Sequence, residues 1–272
     1  MSQDRRIVLR RAGSAPSVPA LAHQETVMGT VVTIDVYTAG GAPGADFDAR
    51  MAAAVARLHE ADAVFSTWDP ASPVSRLRRG EIDLAGCPPE VARVLDACAA
   101  ARDRTDGWFD PWAMPGGVDP TGYVKGWAAQ RALAEFAASG ASGVLVNAAG
   151  DIASAGLLPS GEPFRIGIAD PFAPQRLAAI VRLTGTIATS GTYERGPHLI
   201  DPRTGEPGTR AASATVTGPD LGLADALATA LAVAGEAGLD LLGRFDGYQG
   251  LVIGHDRSRA WTEHFPFAPR GG

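Results

Sequence analysis

The chain has 272 residues, 46% apolar and 20% charged, which is core material for one large domain or two small ones and excludes a disordered segment or a small disulfide scaffold. Thirty acidic against 24 basic residues give a net charge of −6, and the basic cluster Arg5, Arg6, Arg10 and Arg11 sits at the very start, so the basic stripe of a nucleic-acid binder is missing. No run of about 18 apolar residues predicts a transmembrane helix, and the first residues lack the apolar stretch of a signal peptide, so a cytoplasmic protein is expected.

Residues 1–23, rich in Arg, Ser, Pro and Ala, read as a tail. The alternation from Thr30 to Tyr37 predicts a strand, and Asp46 to Ala63 an amphipathic helix. Pro70 and Pro73 break the chain before a short segment from Ser75 to Arg79, and Pro88-Pro89 open a second helix to about Ala101. Residues 105–122 hold seven Gly or Pro and read as an ordered loop, after which Gly122 to Ala138 reads as a third helix. Strands are expected over Gly143–Asn147, Phe164–Ala169, Ala178–Leu183, Thr186–Ala188 and Ala212–Val216. Asp220 to Ala234 forms a strongly apolar helix, a shorter one follows near Leu239–Phe245, and Gln249–Ile253 with Arg259–Glu263 closes as a hairpin. Helices gather in the first half and strands in the second, which predicts an α+β fold with mixed or antiparallel sheets in a single domain over 24–265, with a C-terminal tail over 266–272.

Cys87 and Cys98 lack CxxC spacing and read as small buried hydrophobes. No P-loop, no GxGxxG after a strand and no GxSxG elbow is present. The basic residues carry a sharper signal: 23 are arginine and only Lys125 is lysine. Where arginine replaces lysine throughout, a surviving lysine marks either chance or a place where a compact ammonium on a flexible stem is needed.

Four polar segments stand out. Gly107 to Asp110 and Val118 to Gly126 form a rigid loop running into a helix start with a lone cation, suited to a pyrophosphate; a solvated lysine and an Asp N-cap are the plainer alternative. Val146 to Asp151 runs from an apolar strand through small residues to an Asp, which equally describes an ordinary turn. Ala188 to Gly205 gathers polar residues around His198, with Asp201 and Arg203 near it, against the alternative of a structural histidine. Asp225 and Thr229, four apart, share one face of a greasy helix. A buried carboxylate needs a partner, either a hard cation such as Mg²⁺ or an arginine.

In this order the segments resemble the ApbE family, the FAD:protein FMN transferases. The resemblance runs through Met28-Gly29-Thr30, Phe65 to Trp68, Gly107 to Asp110, Asp119 to Gly126, Asn147 to Asp151, Thr189-Ser190-Gly191, His198 to Gly205 and Asp225 to Thr229. The His-x-x-Asp-Pro-x-Thr-Gly and Asp-Ala-x-x-Thr-Ala pieces carry most of its weight. It implies a T-fold-like architecture and a Mg²⁺-dependent enzyme that cleaves the FAD pyrophosphate, releases AMP and attaches FMN through a phosphoester to a Thr or Ser of an acceptor flavoprotein. By resemblance, Met28, Trp68, Gly107, Trp108 and Phe109 match positions that hold the flavin and its linker. Asp119, Lys125, Ser190 and Leu199 count with the FAD-binding positions, and the Gly122 carbonyl, Asp225 and Thr229 with the magnesium site. His198 is the expected base for the acceptor hydroxyl, Asp225 its competitor, and a monomer or homodimer is expected.

Two features depart from the family pattern. Only eight residues separate Asp110 from Asp119, where the family carries a longer insertion, and Asn147-Ala-Ala-Gly-Asp151 replaces a more glycine-rich stretch. A hydrolase using water as acceptor, yielding FMN and AMP, and a flavin-binding protein without chemistry are the competing readings.

Overall fold

The computed structural model describes residues 18–40, 45–191 and 199–269. Ten strands are seen among them: β1 (Leu21–Val27), β2 (Thr30–Tyr37), β3 (Gly143–Ala148), β4 (Asp151–Gly156), β5 (Phe164–Asp170), β6 (Ala173–Leu183), β7 (Thr186–Gly191), β8 (Ala211–Gly218), β9 (Gln249–Gly254) and β10 (Arg259–Trp261). Five α-helices accompany them: α1 (Ala45–Phe65), α2 (Pro73–Arg78), α3 (Pro89–Arg104), α4 (Thr121–Ala134) and α5 (Leu221–Ala234). Eight strands make one sheet in the order β1-β2-β3-β4-β7-β8-β9-β10, every pair antiparallel, while β5 and β6 form a separate ribbon. The α+β expectation therefore holds, with antiparallel pairing throughout.

The helices cover one face of the large sheet, where Val32, Ile34, Val36, Val146 and Val216 meet Leu58, Ala128, Leu227 and Leu231. The β5–β6 ribbon covers part of the other, packing Ile168, Val181 and Leu183 with Ile152, Ile187 and Leu251. A third cluster joins the end of α1, α3 and the loop after it to α4 and α5 through Phe65, Val91, Val94, Phe109 and Ala230.

Two tight turns mark one end of the sheet. Met28-Gly29 closes β1–β2 and Ala149-Gly150 closes β3–β4, each pair with both φ angles positive (53° and 66°, 51° and 97°), the two-residue turn that suits twisted strands. Because β2 and β3 run antiparallel with Val32 opposite Ala148, both turns lie at the same end. Gly150 N donates to Asn147 Oδ1 at 2.8 Å and fixes the second turn, so Asp151 enters β4 at a defined place.

Helices α4 and α5 cross closely because glycine stands on both. A Cβ on Gly126 would come 2.4 Å from the Leu221 carbonyl oxygen, and one on Gly222 would come 2.8 Å from the Tyr123 ring. This contact presses the first half of α4 against the start of α5 and brings Gly122 beside Thr229 further along it.

The ends differ from expectation. Residues 21–23, assigned to the tail, begin β1, while 1–17 lie outside the described residues. At the other end, Ala268 N donates to the Ile180 carbonyl and Arg182 N to that of Pro266, so 266–268 is bound to β6 and is no tail.

Candidate active site

Lys125 stands at the centre of the site. It lies one turn into α4, and its Nζ is 2.5 Å from Asp151 Oδ2. The Asp151 side chain is only 1% exposed and that of Lys125 22%, so the lysine is no solvated surface cation. Asp151 Oδ1 accepts a hydrogen bond from Thr189 N at 3.2 Å, which ties the ion pair to β7. The next residue on β7, Ser190, places its Oγ 3.2 Å from Thr229 Oγ1 on α5. Thr229 in turn faces Gly122, whose Cβ, if it had one, would lie 3.7 Å from Thr229 Oγ1 and 3.5 Å from the Phe109 ring. Gly122 and Lys125 are three apart on α4 and share a face, which closes a ring of contacts through α4, β4, β7 and α5.

Asp225 lies one turn before Thr229 on α5, is 4% exposed and sits among alanines and leucines. Its charge reaches Cys98 on α3, whose thiol is pushed up to about 12, first by burial and then by this carboxylate. Carboxylate, hydroxyl and the carbonyl of a helix-start glycine are hard oxygen donors, the chemistry Mg²⁺ takes. Gly122, Asp225 and Thr229 fit such an ion, and Gly122 fits for a further reason: a side chain there would enter the space shared with Thr229. Among the described residues no group of three or more His, Cys, Asp or Glu is arranged around a metal position, so a metal here depends on this mixed set.

The other expected positions divide. Asp119 sits just before α4, where its Oδ1 accepts from Thr121 N (3.0 Å) and Thr121 Oγ1 (2.6 Å). Phe109 is 4% exposed and packs beneath Gly122, making it part of the site's floor. Gly107, with φ 75°, ends α3 by donating to the Arg102 carbonyl at 2.9 Å. The Trp108 ring is stacked by guanidinium groups, Arg203 at 3.4 Å and Arg210 at 5.0 Å from its centre. Met28 occupies the first turn and its N donates to Asp62 Oδ2 at 3.1 Å. Asp62, Ser66 and Asp69 line a hollow of about 330 Å³, and Trp68, 94% exposed, stands on the same loop. A further hollow of about 350 Å³, lined by Arg210, His255 and Asp256 among others, contains none of the expected site residues. Leu199 packs against the main core, and its carbonyl accepts from Gly208 N. His198 lies outside the described residues.

The sequence profile of the ApbE family matches residues 28–117 and 114–252, which together take in every element from the Met28 turn to β9. The chain belongs to the ApbE family. It is similar to proteins named FAD:protein FMN transferase from Rhodobacter capsulatus, at 38% identity over 128 residues, and from Vibrio cholerae, at 36% over 130 residues. Each match covers 44% of this chain but only 24% and 39% of those relatives, well under half of their length. Among solved structures, the ApbE flavin transferase of Vibrio cholerae superposes with a TM-score of 0.76 at 23% identity, covering 89% of this chain and 96% of that one. The Thermotoga maritima ApbE protein gives a TM-score of 0.78 at 22% identity, covering 90% and 97%. These likenesses establish a shared fold: the antiparallel sheet, its helical face and the α4–α5 crossing form an ApbE architecture.

Asp151 is the residue that sequence reading undervalued. Its segment was visible as strand, small residues and Asp, but its tie to Lys125 spans 26 positions and depends on the Ala149-Gly150 turn. Opposite charge to the single lysine was the available signal.

Proposed function

We propose that this chain is a Mg²⁺-dependent FAD:protein FMN transferase, acting on a Thr or Ser hydroxyl of an acceptor flavoprotein. The reading draws on family membership and on relatives that bear that name. The observation that carries it is the closed ring from Lys125 through Asp151, Thr189, Ser190 and Thr229 to Gly122, which sets one cation beside a hard-oxygen donor set.

In this reaction the acceptor oxygen bonds to the FMN phosphorus, the bond from that phosphorus to the bridging oxygen breaks, and AMP leaves with that oxygen. Phosphoryl transfer of this kind depends on positioning and on neutralising charge at the phosphate oxygens. Lys125, held by Asp151, presents an ammonium to those oxygens. Phe109 closes the floor and excludes water beneath Gly122. His198 takes the hydroxyl proton as general base. Gly122, Asp225 and Thr229 would hold Mg²⁺, which when bound supplies further neutralisation of the pyrophosphate.

The test mixes purified protein with FAD, Mg²⁺ and a candidate flavoprotein, then reads flavin fluorescence on a denaturing gel together with AMP. A fluorescent acceptor band with AMP, both lost on chelation, is expected. Lys125→Ala and Asp225→Ala should each lower transfer at least about a hundredfold, the usual cost of removing a charge-stabilising group. AMP without a labelled band across several acceptors would favour the hydrolase, and FAD binding without AMP a binding protein.

A further inference from the structure

The loop between Asp110 and Asp119 is fastened by the last residue of α2. Arg78 Nε donates to the Gly116 carbonyl at 3.2 Å and Nη2 to the Pro115 carbonyl at 2.8 Å, while Nη1 lies 3.4 Å from Asp119 Oδ2. Only 14% of the Arg78 side chain is exposed, which is low for a charged residue on a six-residue helix. The loop is shaped around it. Gly116 and Gly117 take φ angles of 81° and 104°, and a Cβ on Gly116 would come 2.9 Å from Nη2. Asp119 carries the fastening onward: its N donates to the Pro111 carbonyl at 2.9 Å, and its Oδ1 caps Thr121 in the first turn of α4.

From these contacts we infer that Arg78 is a positioning residue for FAD binding, acting through Asp119 and the start of α4. The inference rests on the flavin-transferase reading. Asp119 stands three residues before Gly122 and six before Lys125, at the helix end that faces a diphosphate in that reading. A bare carboxylate there repels phosphate, and a Gly-rich loop left unfastened is free to move across the same end. Arg78 removes both effects at once, since its guanidinium neutralises Asp119 and anchors two loop carbonyls. One planar fork reaches all three acceptors, whereas a lysine presents a single point of charge.

The experiment uses the full chain and follows FAD affinity by flavin fluorescence, AMP release for kcat, and folding by thermal melting. Arg78→Ala should weaken FAD binding about tenfold, the worth of one charge-assisted hydrogen bond, with kcat within about threefold. Arg78→Lys should melt close to wild type yet keep most of the affinity loss. In an Asp119→Ala background, Arg78→Ala should cost less than it does in the wild-type chain, because the part of its effect that passes through Asp119 is already gone. Unchanged FAD affinity in Arg78→Ala, or full rescue by lysine, overturns the inference while leaving the transferase reading intact. A wild-type chain that neither binds FAD nor releases AMP removes that reading, and the inference with it.

Discussion

A lysine and an aspartate 2.5 Å apart, with the acid 1% exposed, form a pair that cannot lose one member cheaply. Breaking a buried pair leaves an uncompensated charge and typically costs about 3–5 kcal/mol; the partial exposure of Lys125 brings the expected cost for Asp151→Ala nearer to about 2 kcal/mol. Asp151→Asn is the more informative change, because the amide oxygen can still accept from Thr189 N while the charge is gone. It should lower kcat about tenfold, or ~1.4 kcal/mol, with FAD affinity within about twofold, since the ammonium remains but its aim is lost. Equal loss of affinity and turnover in single-turnover assays would show that Asp151 only maintains the fold. At this scale the sequence was partly legible. Lys125 announced itself against 23 arginines, and Asp225 as a carboxylate in an apolar helix. Phe109, by contrast, matched the flavin positions but packs beneath Gly122, a placement that only the approach of α4 to the loop after α3 reveals.

Between elements, the decisive contact is the crossing of α4 and α5, because it sets Gly122 against Thr229. Gly126 permits that approach, and Gly126→Ala tests it directly. Alanine raises intrinsic helix propensity by about 1 kcal/mol, but the new Cβ would sit 2.4 Å from a backbone carbonyl that has no rotamer by which to escape. Overpacking of this kind costs about 1–3 kcal/mol. At so short a distance the steric effect should fall at the upper end of that range and win, giving a net loss of up to about 2 kcal/mol and a Tm lower by up to about 6 °C. Mg²⁺-dependent AMP release should fall further than stability explains, and a variant with wild-type Tm and turnover would show that the crossing tolerates a wider spacing. The helices of this layer were readable from apolar periodicity and prolines, and α1, α3, α4 and α5 fall where the pattern puts them within a few residues. Strands β1 and β4 were not. The first, Leu-Ala-His-Gln-Glu-Thr-Val, is an edge strand with polar residues, and the second, Asp-Ile-Ala-Ser-Ala-Gly, is too short and small-chained to show alternation. Both owe their conformation to pairing with the neighbour across a two-residue turn, a cause that no local pattern carries.

Across the whole molecule, composition and packing combine in the response to alkali. With one lysine among 24 basic residues, almost all the positive charge is guanidinium, which keeps its proton far above pH 10. The groups whose titration is shifted furthest upward there are buried acids. Cys98 is raised from 9.0 to about 12, by burial first and the Asp225 charge second. Tyr248 is raised from 10.0 to about 12 by burial and Asp220, and Tyr123 is pushed upward for the same two reasons. In the unfolded chain these groups release protons at their ordinary values, so above pH 9 the folded state binds more protons than the unfolded one. Stability is therefore fully present below about pH 9 and declines as pH rises toward 12, each group adding a slope of up to about 1.4 kcal/mol per pH unit. Cys98 carries the larger shift between pH 9 and 10, where the Cys87 thiol is also raised, by burial and the Asp83 charge, and the tyrosines join above. Urea midpoints should fall across that first interval in the wild-type chain and fall less steeply in Cys98→Ala, whatever constant offset the smaller side chain introduces. Parallel descent of the two proteins from pH 9 to 10 would mean that the buried thiol takes no part, and that the helix α3 face toward Asp225 admits more water than its packing implies.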